Sequence, residues 1–177
     1  MTAQSSHQPP SMLTRRHLLL GTALVGVLAG CGTLRGVAGA EPPNASTETF
    51  EVSHTDAEWR KLLTPEQYDV LRNAGTEAPY SSPLNDEHRA GVFGCVGCAL
   101  DLFSSTTKFD SGTGWPSFYQ PMDNAVDQRE DGGLGMARTE VHCRRCGGHL
   151  GHVFTDGPQP TGLRYCMDGL ALTFRPT

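Results

Sequence analysis

The chain has no apolar run long enough to span a bilayer comfortably, no surplus of positive charge, and no internal repeat beyond one duplicated cysteine spacing. The first absence speaks against a membrane-spanning helix, because the apolar stretch from Leu18 to Ala29 falls short of the ~20 residues such a helix needs. The second speaks against nucleic acid as a partner. Basic residues number 14 against 19 acidic ones, and residues 1–30 hold two arginines and no acids, so their removal leaves 12 − 19 = −7. Cysteine is scarce as well, and the six that are present sort by spacing.

One cysteine stands near the head, Cys31; four form two Cys-x-x-Cys pairs, Cys95/Cys98 and Cys143/Cys146; Cys166 is left over. Two such knuckles would place four thiolates where a tetrahedral zinc ion wants them, with Ala99 behind the first and Gly147-Gly148 behind the second to let the backbone turn tightly. Two disulfides or a redox dithiol are the competing reading, and the matched pair favours one structural zinc per chain. Such a site typically contributes on the order of 10 kcal/mol to folding. With the pairs holding metal, Cys166 is the free sulfur available for chemistry, which makes it a candidate nucleophile.

Residues 1–30 read as an export signal, with Arg15-Arg16 ahead of the apolar run. Thr14-Arg-Arg-His-Leu-Leu-Leu20 resembles the twin-arginine signal of bacteria, which suits a metal domain folded before export. Leu28-Ala-Gly-Cys31 resembles a lipobox, in which the cysteine becomes the lipidated first residue. Ala38-Gly-Ala40 offers a competing cut that would give a soluble protein starting at Glu41. Either route removes Cys31 from the pool of free thiols and places the protein in the bacterial cell envelope, the periplasm, with lipid anchoring at Cys31 favoured. Residues 31–49 are small, polar and proline-containing, as suits a tether.

Residues 50–177 make one domain with a modest core, and a monomer is the default. Thr55-Asp-Ala-Glu58 and Thr64-Pro-Glu-Gln67 are capping boxes, the second with proline at the first helical position. They predict short helices over Asp56 to Leu63 and Pro65 to Asn73, the latter stopped by Gly75, with Trp59, Leu62, Leu63, Tyr68 and Leu71 as core anchors. Beyond Gly91 the pattern is β, with strands expected around Gly91 to Cys95, Ala99 to Phe103, Ala137 to His142, His152 to Phe154, Arg164 to Met167 and Leu170 to Phe174. A further strand pair is expected between the knuckles. If the last strand runs unbroken through Gly169, then Cys166, Asp168, Leu170, Leu172 and Phe174 share one face.

A thiol with an ordinary pKa near 8.5 is only a few per cent ionised at neutral pH, so a catalytic cysteine needs a cation or donor beside it. Arg164 shares its face by alternation, and His149 and His152 are the other candidates. A second metal site, or His149 as a zinc ligand, is the competing reading of the histidines.

Ser111-Gly-Thr-Gly-Trp-Pro-Ser-Phe118, Arg138-Thr-Glu-Val141, Cys143-x-x-Cys146, His149-Leu-Gly-His-Val-Phe154, Asp156-Gly-Pro158, Pro160-Thr-Gly162 and Arg164-Tyr-Cys166 together resemble the type B methionine sulfoxide reductases, in order and across nearly all of the domain. The resemblance implies a mainly β fold of two antiparallel sheets, the β-tent, and reduction of methionine-R-sulfoxide, free or in proteins. It implies Cys166 as nucleophile, His149 and His152 as the active-site histidines, Trp115 as the indole against the substrate's methyl group, and Cys95, Cys98, Cys143 and Cys146 on zinc; Arg164 beside the thiol, and Phe154 and Asp168 around the substrate, complete the candidate site. Two positions depart from it. Thr113 stands where many relatives carry a resolving cysteine, so a sulfenic acid on Cys166 is expected to be reduced by an external, thioredoxin-like thiol donor. Asp168-Gly169 replaces a common Asn-Ser, and an anion there would raise the thiol's pKa unless Arg164 or a histidine offsets it. These departures give weight to a rival from another class, a zinc-stabilised binding module of the envelope without catalysis.

Overall fold

The computed structural model describes residues 48–132 and 137–177. The export signal, the lipobox and almost all of the expected tether lie outside the described residues. Helix α1, Asp56–Leu62, opens on Thr55, whose hydroxyl accepts the Glu58 N–H while the Glu58 carboxylate accepts the Thr55 N–H at 2.8 Å. Helix α2, Pro65–Asn73, opens on the same reciprocal bonds between Thr64 and Gln67, at 3.1 and 3.2 Å. Each box satisfies donors that the first helical turn leaves without partners.

The inner faces of these helices carry Trp59, Tyr68, Val70 and Leu71, all buried. Two expectations are corrected here. Leu62 is 59% exposed, because a seven-residue helix turns Trp59 and the capping Leu63 inward and leaves Leu62 on the outer side. The left-handed residue that ends α2 is Ala74, at φ 54°, and not Gly75, whose N–H instead bonds the Asp69 carbonyl at 3.0 Å.

Nine strands follow among the described residues: β1 Gly91–Cys95, β2 Asp101–Ser104, β3 Lys108–Phe109, β4 Ser117–Phe118, β5 Val126–Asp131, β6 Arg138–Cys143, β7 His149–Phe154, β8 Arg164–Met167 and β9 Leu172–Pro176. They form two antiparallel sheets, one ordered β2-β1-β9 and the other β3-β4-β8-β7-β6-β5. The fold is mainly β with two helices, as expected. Phe93 and Phe103 from the smaller sheet meet Phe118 from the larger one, with Phe103 stacked on Phe118 at 4.4 Å and Phe93 edge-on to it at 5.0 Å. Burying each such ring stabilises the domain by roughly 1.5–3 kcal/mol, and each ring pair adds about 0.5–1.5 kcal/mol.

The last strand does not run through Gly169, which corrects the shared face expected for Cys166, Asp168, Leu170, Leu172 and Phe174. The chain leaves β8 at Met167, makes a 3-10 turn over Gly169–Ala171, and enters β9 in the other sheet. The cause is Glu77, 8% exposed, whose carboxylate accepts the N–H groups of Gly169 and Leu170 at 2.6 and 3.0 Å. Gly169 itself packs so closely that a Cβ there would lie 1.9 Å from Ser82 Oγ. What does line up is a row across the larger sheet: Ser117, Cys166, His152, Glu140 and Arg129 are successive direct partners on β4, β8, β7, β6 and β5. Direct partners in antiparallel strands share a face.

Candidate active site and metal centre

The two Cys-x-x-Cys turns are built alike. The N–H groups of Ala99 and Gly147 return to the carbonyls of Cys95 and Cys143 at 2.8 Å, and the N–H groups of Cys95 and Cys143 reach the carbonyls of Leu100 and Gly148 at 2.8 Å. The four sulfurs lie within 4.8 Å of one another, with Cys95 and Cys146 at 3.7 Å and Cys98 and Cys143 at 3.5 Å. A zinc ion bound by sulfur at ~2.3 Å in a tetrahedron separates its ligands by about 3.8 Å, so these residues fit that metal. All four are free of disulfides. Hydrogen bonds among the sulfurs, from Cys143 foremost, hold the proton on Cys95 and pull Cys98 toward thiolate. Four thiols this close together suit a divalent cation, which would hold them as thiolates.

Cys166 lies far from that quartet in its chemistry. It lines a cavity of about 130 Å³ together with Trp115, Arg138, His152, Phe154 and Asp168. Trp115 is fixed by its Nε1–H, which donates to the Glu77 carbonyl at 3.1 Å. The turn before it is held by Asp110, which accepts the Gly112 N–H at 2.8 Å, and by Gly112 and Gly114 at φ 68° and 94°. Those left-handed values favour glycine. Within this turn the Ser111 hydroxyl lies 2.8 Å from that of Thr113 and 2.7 Å from that of Ser117, and Thr113 Oγ1 stands 3.7 Å from Cys166 Sγ. The position where a resolving cysteine is common therefore touches the thiol, as a hydroxyl.

Each histidine is backed by a carboxylate and an arginine. His149 Nδ1 lies 2.8 Å from Glu140 Oε1, and Arg129 donates to the same oxygen at 2.9 Å. His152 Nε2 lies 2.8 Å from Asp131 Oδ2, which also accepts from Arg138 at 2.8 Å. Among the described residues the side chains placed to hold a metal ion together are the four cysteines, and neither ring belongs to that group. His152 lines the Cys166 cavity, whereas His149 lines an adjoining space of about 410 Å³ that shares Thr76, Arg138 and His152 with it. Arg164 does not line the cavity; it grips Asp156 through two bonds of 2.8 and 2.9 Å, and its guanidinium lies 4.3 Å above the Phe154 ring.

Burial pushes the Cys166 thiol up, against the Thr113 hydroxyl and the Arg164 charge, while Asp168 adds to the rise. Burial likewise pushes Asp168 up to about 6, although the Glu77 N–H donates to its Oδ1 at 3.0 Å. It pushes His152 down, against Asp131. Glu140 goes the other way: burial opposes its ionisation, yet the bonds from His149 and Arg129 hold it down at about 2. The resting site thus pairs a protonated thiol with a weak buried acid.

The structure brings together Cys166, His152, Trp115, Phe154 and Asp168, sets His149 and Arg164 one layer back, and gathers the four other cysteines at a separate place. Sequence reading missed Glu77, Asp131, Glu140, Arg129 and Arg138 as parts of this arrangement. Glu140 and Arg138 belong to the Arg138-Thr-Glu-Val141 motif and could have been found by asking which strand residues oppose the histidines. Glu77, in a loop of no period, carried no such signal.

The SelR domain family matches residues 63–176. Among curated proteins, a Peptide methionine sulfoxide reductase MsrB from Leifsonia xyli subsp. xyli is 55% identical over 135 residues, covering 75% of this chain and 97% of that protein. Proteins of the same name from Leptospira interrogans and Bradyrhizobium diazoefficiens are 53% and 52% identical, covering 71% and 76% of this chain and 97% and 99% of theirs. The order of motifs, the two antiparallel sheets and the four-cysteine cluster agree with these matches, and the chain belongs to the type B methionine sulfoxide reductase family.

Proposed function

We propose that this chain reduces methionine-R-sulfoxide, in proteins or free, to methionine, with Cys166 as the attacking sulfur. The observation that carries the reading is a lone thiol at a cavity walled by the pinned indole of Trp115 on one side and by His152 and Asp168 on others. An S-methyl group suits the indole, and a polar oxygen suits the acid and imidazole, so opposite walls would tell the two epimers apart. Phe154 extends the apolar side.

In the reaction, Cys166 Sγ bonds to the sulfoxide sulfur as that sulfur's oxygen gains a proton. The hydroxyl then passes to Cys166, the methionine sulfur keeps the electron pair, and the products are methionine and a sulfenic acid. The thiol proton balances the one placed on oxygen. Two equivalents of an external, thioredoxin-like thiol return the sulfenic acid to thiol, releasing water and a disulfide of the donor; Thr113 offers no internal route. Arg164, one strand alternation from Cys166, favours the thiolate when it forms. Zinc on Cys95, Cys98, Cys143 and Cys146 would lock the two knuckles together and take no part in the chemistry.

Residues 1–30 are read as an export signal and 31–49 as a tether, with a lipid at Cys31 and the domain of residues 50–177 working in the envelope. Cell fractionation of the full chain beside Cys31→Ser tests the anchor, which predicts release of the variant from the membrane fraction. The function is tested by incubating the zinc-loaded protein with both epimers of a peptide-bound methionine sulfoxide and dithiothreitol, beside Cys166→Ser. Loss of the R epimer alone, abolished by the substitution, is expected. No turnover of either epimer by folded protein would favour the binding module, a reading supported by the burial that holds Cys166 protonated. A single turnover without reductant should add about 16 mass units to Cys166, and an internal disulfide there would overturn the external-donor route.

A further inference from the structure

Three hydroxyls and a carbonyl form a chain from the Cys166 sulfur into the turn that carries Trp115. Thr113 Oγ1 stands 3.7 Å from Cys166 Sγ, Ser111 Oγ 2.8 Å from Thr113 Oγ1, and Ser117 Oγ 2.7 Å from Ser111 Oγ. The Ser117 hydroxyl donates to the Trp115 carbonyl at 3.0 Å. Ser117 is wholly buried and lies directly opposite Cys166 across β4 and β8, so the far end of the chain is fixed by the sheet.

A hydroxyl carries one proton and accepts on its lone pairs, so counting from the carbonyl sets the direction of each bond. Ser117 spends its proton on Trp115, and toward Ser111 it accepts. Ser111 therefore spends its own proton on Ser117 and is left as an acceptor. The Thr113 hydroxyl donates to it, and the Thr113 N–H points at the same oxygen at 3.4 Å. Thr113 then has no proton for the sulfur and accepts from the Cys166 S–H. This arrangement suits a thiol. A thiolate would face the Thr113 lone pairs, in a place where burial already resists charge, unless the Thr113 hydroxyl turned away from Ser111.

The other groups around the sulfur leave Thr113 in that position. Arg164, on the same strand, is engaged with Asp156, while His152 on β7 and Arg138 on β6 are engaged with Asp131. Asp168 opposes the thiolate, and of the groups that favour it the Thr113 hydroxyl outweighs both Arg164 and Ser117. We infer that Ser111 competes with the Cys166 sulfur for the single Thr113 proton, and that this competition keeps the nucleophile a thiol in the resting protein. The inference rests on the reductase reading for Cys166 as the reacting sulfur, and it makes Ser111 a positioning residue that acts through Thr113. A sulfur held as thiol is spared by stray oxidants and disulfides, which react with the thiolate.

The test treats the zinc-loaded natural chain, Ser111→Ala, Thr113→Val and Tyr80→Phe with iodoacetamide from about pH 6 to 10, following the Cys166 peptide by mass spectrometry. Ser111→Ala frees the Thr113 proton for the sulfur, and the alkylation midpoint should fall by about half to one pH unit. Thr113→Val removes the donor itself, and the midpoint should rise by about half a unit. Tyr80→Phe is the control for the turn: its hydroxyl donates to the Gly112 carbonyl at 2.7 Å outside the chain, and its loss should leave the midpoint in place. An unmoved or raised midpoint in Ser111→Ala would overturn the competition. So would an equal fall in Tyr80→Phe, which would trace the change to a loosened turn. Alkylation needs no reductase activity, so a natural chain inert toward methionine sulfoxide would sink the reductase reading while the midpoints still decide the competition. Should Ser111→Ala fail to fold, Ser111→Gly removes the same hydroxyl and must give the same fall; a midpoint that stays or rises overturns the inference.

Discussion

Cys95, Cys98, Cys143 and Cys146 are brought together by two copies of one local device, whereas Cys166 takes its neighbours from strands and loops far apart in sequence. In each knuckle the fourth residue past the first cysteine returns its N–H to that cysteine's carbonyl, and the fifth accepts the cysteine's own N–H. The result is a set of thiols that touch chiefly each other. Around Cys166 the contacts are a hydroxyl 53 residues away, an imidazole across one strand pair and an arginine and acid on its own stretch. One sulfur environment is a closed unit that joins the end of β1 in the smaller sheet to the end of β6 in the larger one; the other is assembled across the strands of the larger sheet and its loops. The same element therefore serves as glue in one region and as reagent in the other.

The difference predicts opposite failures. Cys143→Ser removes one ligand of a site worth on the order of 10 kcal/mol, comparable to the whole stability of a domain. Calorimetry should show loss of the cooperative unfolding transition and elemental analysis loss of zinc; a variant that melts like the natural chain without metal would break the comparison. Cys166→Ser should do the reverse, lowering turnover at least about 10³-fold while moving stability by no more than about 1 kcal/mol. Steady-state kinetics and a melt on the same sample check both halves.

The knuckles could be read from the sequence because their geometry is local: four spacings and two small residues carry it. The capping boxes of Thr55 and Thr64 were legible for the same reason. Strand β5, Val126–Asp131, was not, since an edge strand with exposed polar residues along most of its length shows no apolar alternation. A strand pair between the knuckles was expected and is found as β3 with β4, but its place was not legible, since two residues each are too short for any period. The break at Gly169 depends on a carboxylate 92 residues away, and no local signal announces it. At the candidate site, the side chains that face Cys166 carried recognisable motifs, while the carboxylates behind the histidines, Asp131 and Glu140, emerged from strand register.

Glu77 sharpens the comparison at an intermediate scale, because it serves one region only. Its carboxylate holds the turn after Cys166, its N–H holds Asp168 and its carbonyl holds Trp115. Glu77→Ala would leave two buried N–H groups without partners, a loss of about 2–4 kcal/mol by denaturant titration. Zinc content should stay at the natural level, and the Trp115 fluorescence should change. Loss of metal from this variant would mean that the two sulfur regions are coupled after all.

The smallest effect lies between the knuckles themselves, at the left-handed position that the two copies fill with different residues. Ala99 and Gly147 hold the same left-handed position, at φ 57° and 65°, but only one is glycine. Ala99 is exposed, so Ala99→Gly relieves strain at its Cβ without opening a cavity. A gain of about 0.5–1 kcal/mol is expected, against the greater chain entropy glycine loses on folding. Gly147→Ala should have the opposite sign, since its Cβ would come within 2.3 Å of the Phe50 ring in addition to adopting the strained backbone. Paired thermal melts of the zinc-loaded proteins read both signs at once. Equal destabilisation by the two substitutions would show that the knuckles are not equivalent, and that the first depends on alanine for a contact the second does not make.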